Sequence, residues 1–334
     1  IEHGFAFAFQ EGLLVDAMQK GHWILLDEIN LASAETLQAI AGVLDGHSIY
    51  INDRLDSEPV QRHENFRVFA CMNPPTDVGK RELPFALRSR FTEMYVSDLT
   101  DIQDLQTLAD RYLFGLAGAT APQVVEVYRA CRELANTDLS DGAGQKPLYS
   151  LRSLTRSLKT ATTFVGMGIR PVSHALFEAF DLNFTGMLEE KSKTIMATFL
   201  KEKFQIVSSS KSLDDAPSLP NNHKKDEWVL IRPFWLRKGP LPCVDRAEKN
   251  ENSIVQYVLT TTTLKLVRRL AAAVTADVAP ILLQGPTSAG KTSVIEYLAA
   301  RTGHHCIRIN NHEHTDVQEY VGGYVTGIGG NLEF

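Results

Sequence analysis

The residues Gly285-Pro286-Thr287-Ser288-Ala289-Gly290-Lys291-Thr292, followed by Ser293, have the spacing GxxxxGK[ST]. Glycines at the ends of such a loop let the backbone wrap so that its N–H groups point at phosphate oxygens. The lysine neutralises the outer phosphates, and the threonine hydroxyl ligates Mg²⁺. The motif follows an apolar run, Ile281 to Gln284, and opens an amphipathic pattern whose first helical turn adds a positive dipole end. Strand, loop and helix in that order are the context the motif requires. A glycine-rich turn with an exposed lysine explains the pattern less well. Gly285, Pro286, Thr287, Ser288, Ala289, Gly290, Lys291, Thr292 and Ser293 are therefore candidate ligands of a nucleoside triphosphate, with ATP and Mg²⁺ expected.

A second set of residues complements that loop. The apolar run Trp23-Ile24-Leu25-Leu26 ends in Asp27 and Glu28. In nucleotide hydrolases such an aspartate holds Mg²⁺, so Asp27 joins Thr292 as a candidate metal ligand, and the adjacent glutamate polarises the attacking water. A strand ending in two acids is ordinary by itself. Its companions sharpen it. A second apolar run, 66–73, ends in Asn73, which suits the same water and the γ-phosphate. The stretch LPFALRSRF presents Arg88 and Arg90, placed to stabilise charge on a transferring phosphoryl group, and YSLRSLTR offers Arg152 and Arg156 for sensing nucleotide from another side. Each arginine alone would be read as a solvated surface charge. The ordered set carries the argument.

The elements that must position these residues follow from hydrophobic period. Residues 11–20 read as an amphipathic helix stopped by Gly21, and 23–27 as a buried parallel strand. Leu37, Ile40, Ala41 and Leu44 mark a helix ending near Gly46. Residues 66–73 form another buried strand, 83–90 a short helix and 92–96 a further strand. From 102 to 206 strand signals almost vanish, which predicts a helical subdomain with Pro122 in a first turn, Ser150 and Ser173 as N-caps, and Leu151, Leu154 and Leu158 on one face. Residues 207–227 are polar and Ser/Pro-rich, the composition of a linker. A β segment over 228–238 and a long helix over 253–276 lead into the phosphate loop, and 324–334 read as a glycine-turn hairpin.

At 334 residues the chain has room for about two domains. With 44% hydrophobic and 22% charged residues, neither wholesale disorder nor a fibrous repeat fits. The 34 basic against 40 acidic residues, net −6, argue against a nucleic-acid coat. Cys71, Cys131, Cys243 and Cys306 are scattered and never form CxxC, which suggests neither a disulfide framework nor a paired-thiol metal site and fits a reducing compartment. No run is long and apolar enough to span a bilayer, and the first residues lack a signal peptide's basic start. The chain also lacks an initiator methionine and reads as a piece of something longer.

The order of the motifs is unusual, because the phosphate loop lies far downstream of the acidic strand. Circular permutation would explain it, and so would the back of one module joined to the front of the next. Laid end to start, 253–334 followed by 1–206 reads as one complete α/β module, with 324–334 as a glycine-turn hairpin and HGFAFAFQEG as the exit strand of the same kind of hairpin. The second explanation is preferred.

At this point FQEGLLVDAMQKGHWILLDEINLA, FACMNPP, LRSRF and LLQGPTSAGKTSVIEYLAARTGHHCIRINNHEHTDVQEYVGGYV resemble the midasin family, giant tandem AAA+ ATPases related to dynein and the MoxR chaperones. The resemblance covers most of the chain apart from 207–250, and NNHEHTDVQEYVGGYV is its most specific stretch. It implies P-loop NTPase modules, each a parallel sheet flanked by helices with a helical lid, in a ring of six on one polypeptide. It implies 1–101 as the later part of one AAA+ large subdomain, 102–206 as its lid, 207–252 as linker and β-hairpin, and 253–334 as the start of the next large subdomain; the block after the phosphate loop resembles the third module, making the front half the second. Asp27 and Glu28 would be the Walker B pair, Asn73 sensor 1, Arg90 the arginine finger with Arg88 as second choice, Arg152 sensor 2, and Gly285 to Thr292 Walker A. The stretch TDVGKRELPFALRSRF stands where the family more usually has a glycine-rich loop. The implied function is ATP-driven removal of assembly factors from pre-ribosomal large-subunit particles in the nucleolus and nucleoplasm. The implied partners are neighbouring modules of the same polypeptide and those particles, with neither membrane nor direct RNA contact expected.

Other readings compete. His304, His305, Cys306, His312 and His314 crowd one region, but zinc sites prefer ligands spaced to converge and more thiolate. Trp228, Phe234 and Trp235 suit packing of a hairpin better than base stacking, since no basic stripe accompanies them. A MoxR-type or dynein-like remodeller is the nearest enzymatic alternative. In a different class, the modules would hold nucleotide permanently as rigid ring segments or docking surfaces.

Overall fold

A computed structural model describes residues 11–46, 48–50, 59–74, 82–114, 116, 118, 120–169, 171–206, 219, 224–243, 257–313, 315–321, 325–326 and 332–333. The chain divides into two compact units, 1–98 and 99–334.

In the first unit, α1 (Leu13–Lys20) closes on Gly21, whose left-handed φ of 74° ends the helix as its sequence predicts. A Cβ at Gly21 would fall 2.4 Å from the His63 ring, so this turn has no room for a side chain. Strand β1 (Trp23–Leu26) pairs in parallel with the later β2 (Arg67–Ala70), Leu25 opposite Phe69. Between them lie α2 (Ala34–Ala39), capped by the Ser33 hydroxyl, and α3 (Ala41–Leu44). The single helix expected here is split at Ile40, two residues before Gly42; glycine in a helix costs about 1 kcal/mol relative to alanine. A short α4 (Phe85–Arg88) completes the unit's helices among the described residues.

One face of the β1–β2 sheet is covered. Ile24 and Val68 pack on a cluster of Val15, Met18, Val43 and Phe66, while Leu26 and Ala70 rest on Ile29, Leu37, Ala41 and Leu87. The other face is open, with Trp23 72% and Leu25 58% exposed. The strand expected to be buried is thus parallel but only half covered, because no layer among the described residues lies over its second face. The strand expected at 92–96 is also absent, and Met94, Tyr95 and Val96 are exposed. An extended segment becomes a strand only when a neighbour takes its backbone hydrogen bonds.

The second unit begins as a helical bundle. Its helices are α5 (Ile102–Leu113), α6 (Ala121–Thr137), α7 (Leu151–Gly166), α8 (Val172–Thr185) and α9 (Glu190–Lys203). The Asp101 carboxylate accepts from the Gln103 and Asp104 N–H groups, and Pro122 stands in the first turn of α6 as expected. Ser150 takes the N-cap position of α7 without a side-chain bond. Ser173 is no cap: Pro171, already extended, takes that position and leaves Ser173 inside the first turn. The core is aromatic, with Phe180 stacked on Phe184 at 5.1 Å and Tyr149 and Tyr128 buried beside them. The Tyr149 hydroxyl donates to the Phe184 carbonyl, which satisfies its buried polar end.

The core of this bundle extends into the later part of the chain. Strands β3 (Trp228–Ile231) and β4 (Phe234–Arg237) form the expected hairpin, and buried Phe234 sets its ring 5.1 Å from Phe164 of α7. Helix α10 (Thr261–Ala276) starts at a Thr260–Thr263 capping box, later than expected, while 253–256 lie outside the described residues. Its Arg268 meets the largely buried Glu178 of α8 at 2.6 Å, and Arg269 donates to the Asp181 carbonyl at 3.1 Å and the Thr185 hydroxyl at 2.7 Å. Helix α11 (Lys291–Thr302) packs on α10, with Tyr257 stacked on Tyr297 at 4.9 Å. Past β4, the Gly239 and Leu241 N–H groups donate to the Thr302 and Gly303 carbonyls. A Cβ on Gly239 would fall 2.1 Å from the Gly303 oxygen, and one on Gly303 2.3 Å from the Leu241 oxygen. Only glycines allow this crossing. A short helix α12 (Val317–Val321) precedes β5 (Val325–Thr326) and β6 (Leu332–Glu333), which pair antiparallel as the expected hairpin. Residues 1–10, its expected continuation, and most of the expected linker lie outside the described residues.

Two measurements check these joints. Burial raises the Glu178 carboxyl above the usual range, with Arg268 opposing the shift. A carboxyl raised by folding contributes stability that is fully present below its unfolded pKa and is lost as pH rises through the folded one. Arg268→Ala removes the opposing charge, so it should cost about 3 kcal/mol near neutral pH in urea denaturation. Much of that loss should be recovered as pH is lowered, because protonation of Glu178 relieves the buried charge. Gly239→Ala should lower stability by about 1–3 kcal/mol through overpacking, with amide exchange accelerated at the end of α11.

Candidate nucleotide site

In the second unit the phosphate loop lies at the start of α11, as its sequence requires. Ser288 and Gly290 have left-handed φ of 62° and 78°, which curls successive N–H groups inward, and Gly290 is the N-cap. Twelve helical residues follow, enough to develop about half a positive charge at this end. Lys291 folds back over the loop, its Nζ donating to the carbonyls of Gly285 at 2.9 Å and Pro286 at 2.6 Å. These residues fit a triphosphate: an exposed loop with two left-handed residues, a dipole end and a lysine whose present partners are neutral carbonyls. Exchanging those carbonyls for phosphate would give stronger, charge-assisted bonds. Thr292 and Ser293 are exposed in the first turn.

One expectation around the loop differs from the structure. Residues 281–284 join no sheet among the described residues. His304 sets Nδ1 2.9 Å from the Thr302 hydroxyl, a local contact at the end of α11. His314 lies outside the described residues.

In the first unit the carboxyl ends of β1 and β2 are clasped together. The Cys71 N–H donates to the Leu26 carbonyl and the Ile29 N–H to the Cys71 carbonyl, which carries the ladder past both strands. Asn30, 2% exposed, donates its side-chain amide to the Asn73 carbonyl at 3.2 Å. The loop bearing Asp27 and Glu28 is thereby tied to the loop bearing Asn73, with all three side chains exposed. Glu28 has a left-handed φ of 51°, and its N–H donates to the Asp27 carboxylate at 3.0 Å. A non-glycine residue in that region carries backbone strain of about 1 kcal/mol or more, and such strain concentrates where a side chain must be aimed. Sequence reasoning missed Asn30. Its signal was a lone amide in the apolar run Ile29–Leu31.

The candidate fingers are each paired within this unit. Arg88 makes two contacts with Glu93, at 2.6 and 2.7 Å, which hold the Glu93 carboxyl below its usual range and Arg88 above its own. Among the described residues, Arg90 meets Asp45 through Nε at 3.0 Å. In the second unit Arg152 and Arg156 stand one turn apart on the exposed side of α7, opposite the buried Leu154 and Leu158.

Comparison with known proteins adds to this geometry. A family model described as the AAA domain of the dynein-related subfamily matches residues 4–91, and one described as the midasin AAA lid domain matches 104–206. Midasin of Dictyostelium discoideum is 41% identical across the whole chain, and midasin of Giardia intestinalis is 36% identical over 96% of it. An uncharacterized protein of Staphylococcus aureus strain COL is 35% identical over 88 residues, 26% of this chain and 33% of its own length. The chain spans only 6% and 7% of the two midasins. With a parallel strand pair ending in two acids, a phosphate loop opening a helix, a matched lid and similarity to two midasins over nearly all of its own length, the chain belongs to the midasin family of AAA+ proteins.

Proposed function

We propose that this chain is a segment of a midasin-type ATPase that uses ATP to remove assembly factors from pre-ribosomal large-subunit particles in the nucleus. The observation that most supports it is the clasp of Asn30 on Asn73, which gathers Asp27, Glu28 and Asn73 at one end of a parallel sheet. Ligands of open α/β sheets bind outside the carboxyl ends of the strands. Similarity to a small part of two much longer midasins supports neighbouring modules of the same polypeptide as partners; the ribosomal particle follows from the family resemblance.

Each residue then has a role. The N–H groups from Ser288 to Ser293 and the Lys291 ammonium bind phosphate oxygens, and Thr292 and Asp27 are the protein's ligands to Mg²⁺ in their respective pockets. Bound ATP·Mg²⁺ supplies the phosphoanhydride and the metal charge. Glu28 takes a proton from water and Asn73 orients it. Arg90 leaves Asp45 for developing negative charge on a neighbouring module's nucleotide, while Arg152 reports nucleotide to the lid. In this reading Asp27, Glu28 and Asn73 serve one pocket and Lys291 and Thr292 serve the next, so a single chain holds two half-sites.

Two outcomes check the reading. The dilute monomeric chain should hydrolyse ATP at background rate in a phosphate-release assay. In the full-length parent, Glu28→Gln should lower the turnover contributed by its own module by about 10²–10⁴-fold, the range for loss of a general base, and leave factors on purified particles. Unchanged turnover and release would instead favour modules that hold nucleotide as rigid docking segments.

A further inference from the structure

Two tyrosines near the phosphate loop have no part in the roles assigned above. Tyr257 lies just before α10 and Tyr297 within α11, and their rings stack at 4.9 Å with 26° between the planes. Both are half-buried and pack on the core that includes Leu270 and Val294. Neither hydroxyl has a hydrogen-bond partner among the described residues. A buried tyrosine usually pairs its hydroxyl, so these polar ends lie where solvent or a ligand meets them. The segment carrying Tyr257 is itself fixed. The Thr263 hydroxyl donates to the Val258 carbonyl at 3.4 Å, beside the Thr260–Thr263 capping box. The stacked pair is thus held from both helices.

Lys291 and the Mg²⁺ ligated by Thr292 take the outer phosphates. The N–H groups of the first α11 turn are left for the innermost phosphate, the one bonded to ribose. Exposed Ser293 stands in that turn. Tyr297 comes four residues later, about 6 Å along the axis and on the same side of the helix. A nucleoside that leaves the innermost phosphate along α11 meets this aromatic ring within the reach of one ribose. We propose that Tyr297, backed by Tyr257, is the platform on which the nucleobase of the bound nucleotide stacks. The proposal rests on the reading that Gly285 to Ser293 bind the phosphates. Tyr297 is then a binding residue, and Tyr257 a positioning residue that holds its ring by stacking. Stacking recognises the π-face and area of a base rather than its hydrogen-bonding edge. The platform therefore favours purine over pyrimidine triphosphates and by itself does not separate ATP from GTP.

The test uses the 334-residue chain with Mg²⁺ and three probes: ATP, UTP and inorganic tripolyphosphate, which carries the phosphates without a base. Ligand-observed NMR gives the affinities and also reads contact between tyrosine ring protons and the adenine protons. Wild type should bind ATP about 10-fold more tightly than tripolyphosphate, the worth of one stacked base, with UTP between them. Tyr297→Ala should bring ATP down to the tripolyphosphate level and leave tripolyphosphate itself unchanged. Tyr297→Phe should keep the ATP affinity, and Tyr257→Ala should weaken ATP alone, by less than Tyr297→Ala. If tripolyphosphate binding falls together with ATP binding in Tyr297→Ala, the ring is structural and the platform is overturned. Equal affinity of wild type for ATP and tripolyphosphate would also overturn it, while loss of both in Lys291→Ala would leave the phosphate-loop reading standing. Absence of binding by all three probes would overturn that reading for this half-site and the platform with it.

Discussion

A pair of parallel strands offers its chemistry at one end, and everything in the first unit depends on holding that end together. Two backbone bonds beyond β1 and β2 and the Asn30–Asn73 contact do so. The side chains that would act on water, Asp27, Glu28 and Asn73, need not touch one another. Their loops need only be fixed at the same edge. Buried Asn30 is well suited to that task, because its amide N–H bond to the Asn73 carbonyl lies in an apolar setting, where breaking it would be costly. The left-handed Glu28 belongs to the same arrangement: a strained turn persists only where its surroundings over-determine it.

In the second unit the phosphate loop is held from behind. Helix α11 packs on α10, α10 is pinned to α8 by Arg268 and Arg269, and the end of α11 is crossed by the segment after β4 at Gly239 and Gly303. The helical lid and the phosphate-loop half, which the family pattern divides between successive modules, therefore share one packed core that includes Phe164, Phe234, Leu270 and Val294. Movement of α11 in response to a ligand would be passed to α7, which packs on α10 and carries Arg152 and Arg156.

Much of this was legible in the chain. The phosphate loop, the acid pair after an apolar run, the amide after the next run and the helical stretch over 102–206 all rest on local pattern, and local pattern survives folding where one element is enough to express it. Where the structure departed from expectation, tertiary context was the reason. Residues 92–96 and 281–284 have strand composition but no strand, because a strand is a property of two segments. Ser173 has the chemistry of a cap without its position, because Pro171 already supplies the extended residue that opens α8.

The sequence by itself determined the inventory: which residues can bind phosphate, metal and water, and which segments carry them, since spacing and side-chain type suffice for that. Tertiary structure alone decided the pairings. That Asn30 clasps the Asn73 loop, that Arg88 and Arg90 face Glu93 and Asp45, and that Gly239 crosses Gly303 are contacts between residues distant or unremarkable in the chain. No periodicity encodes them, because they arise from burial and close approach after the elements have packed.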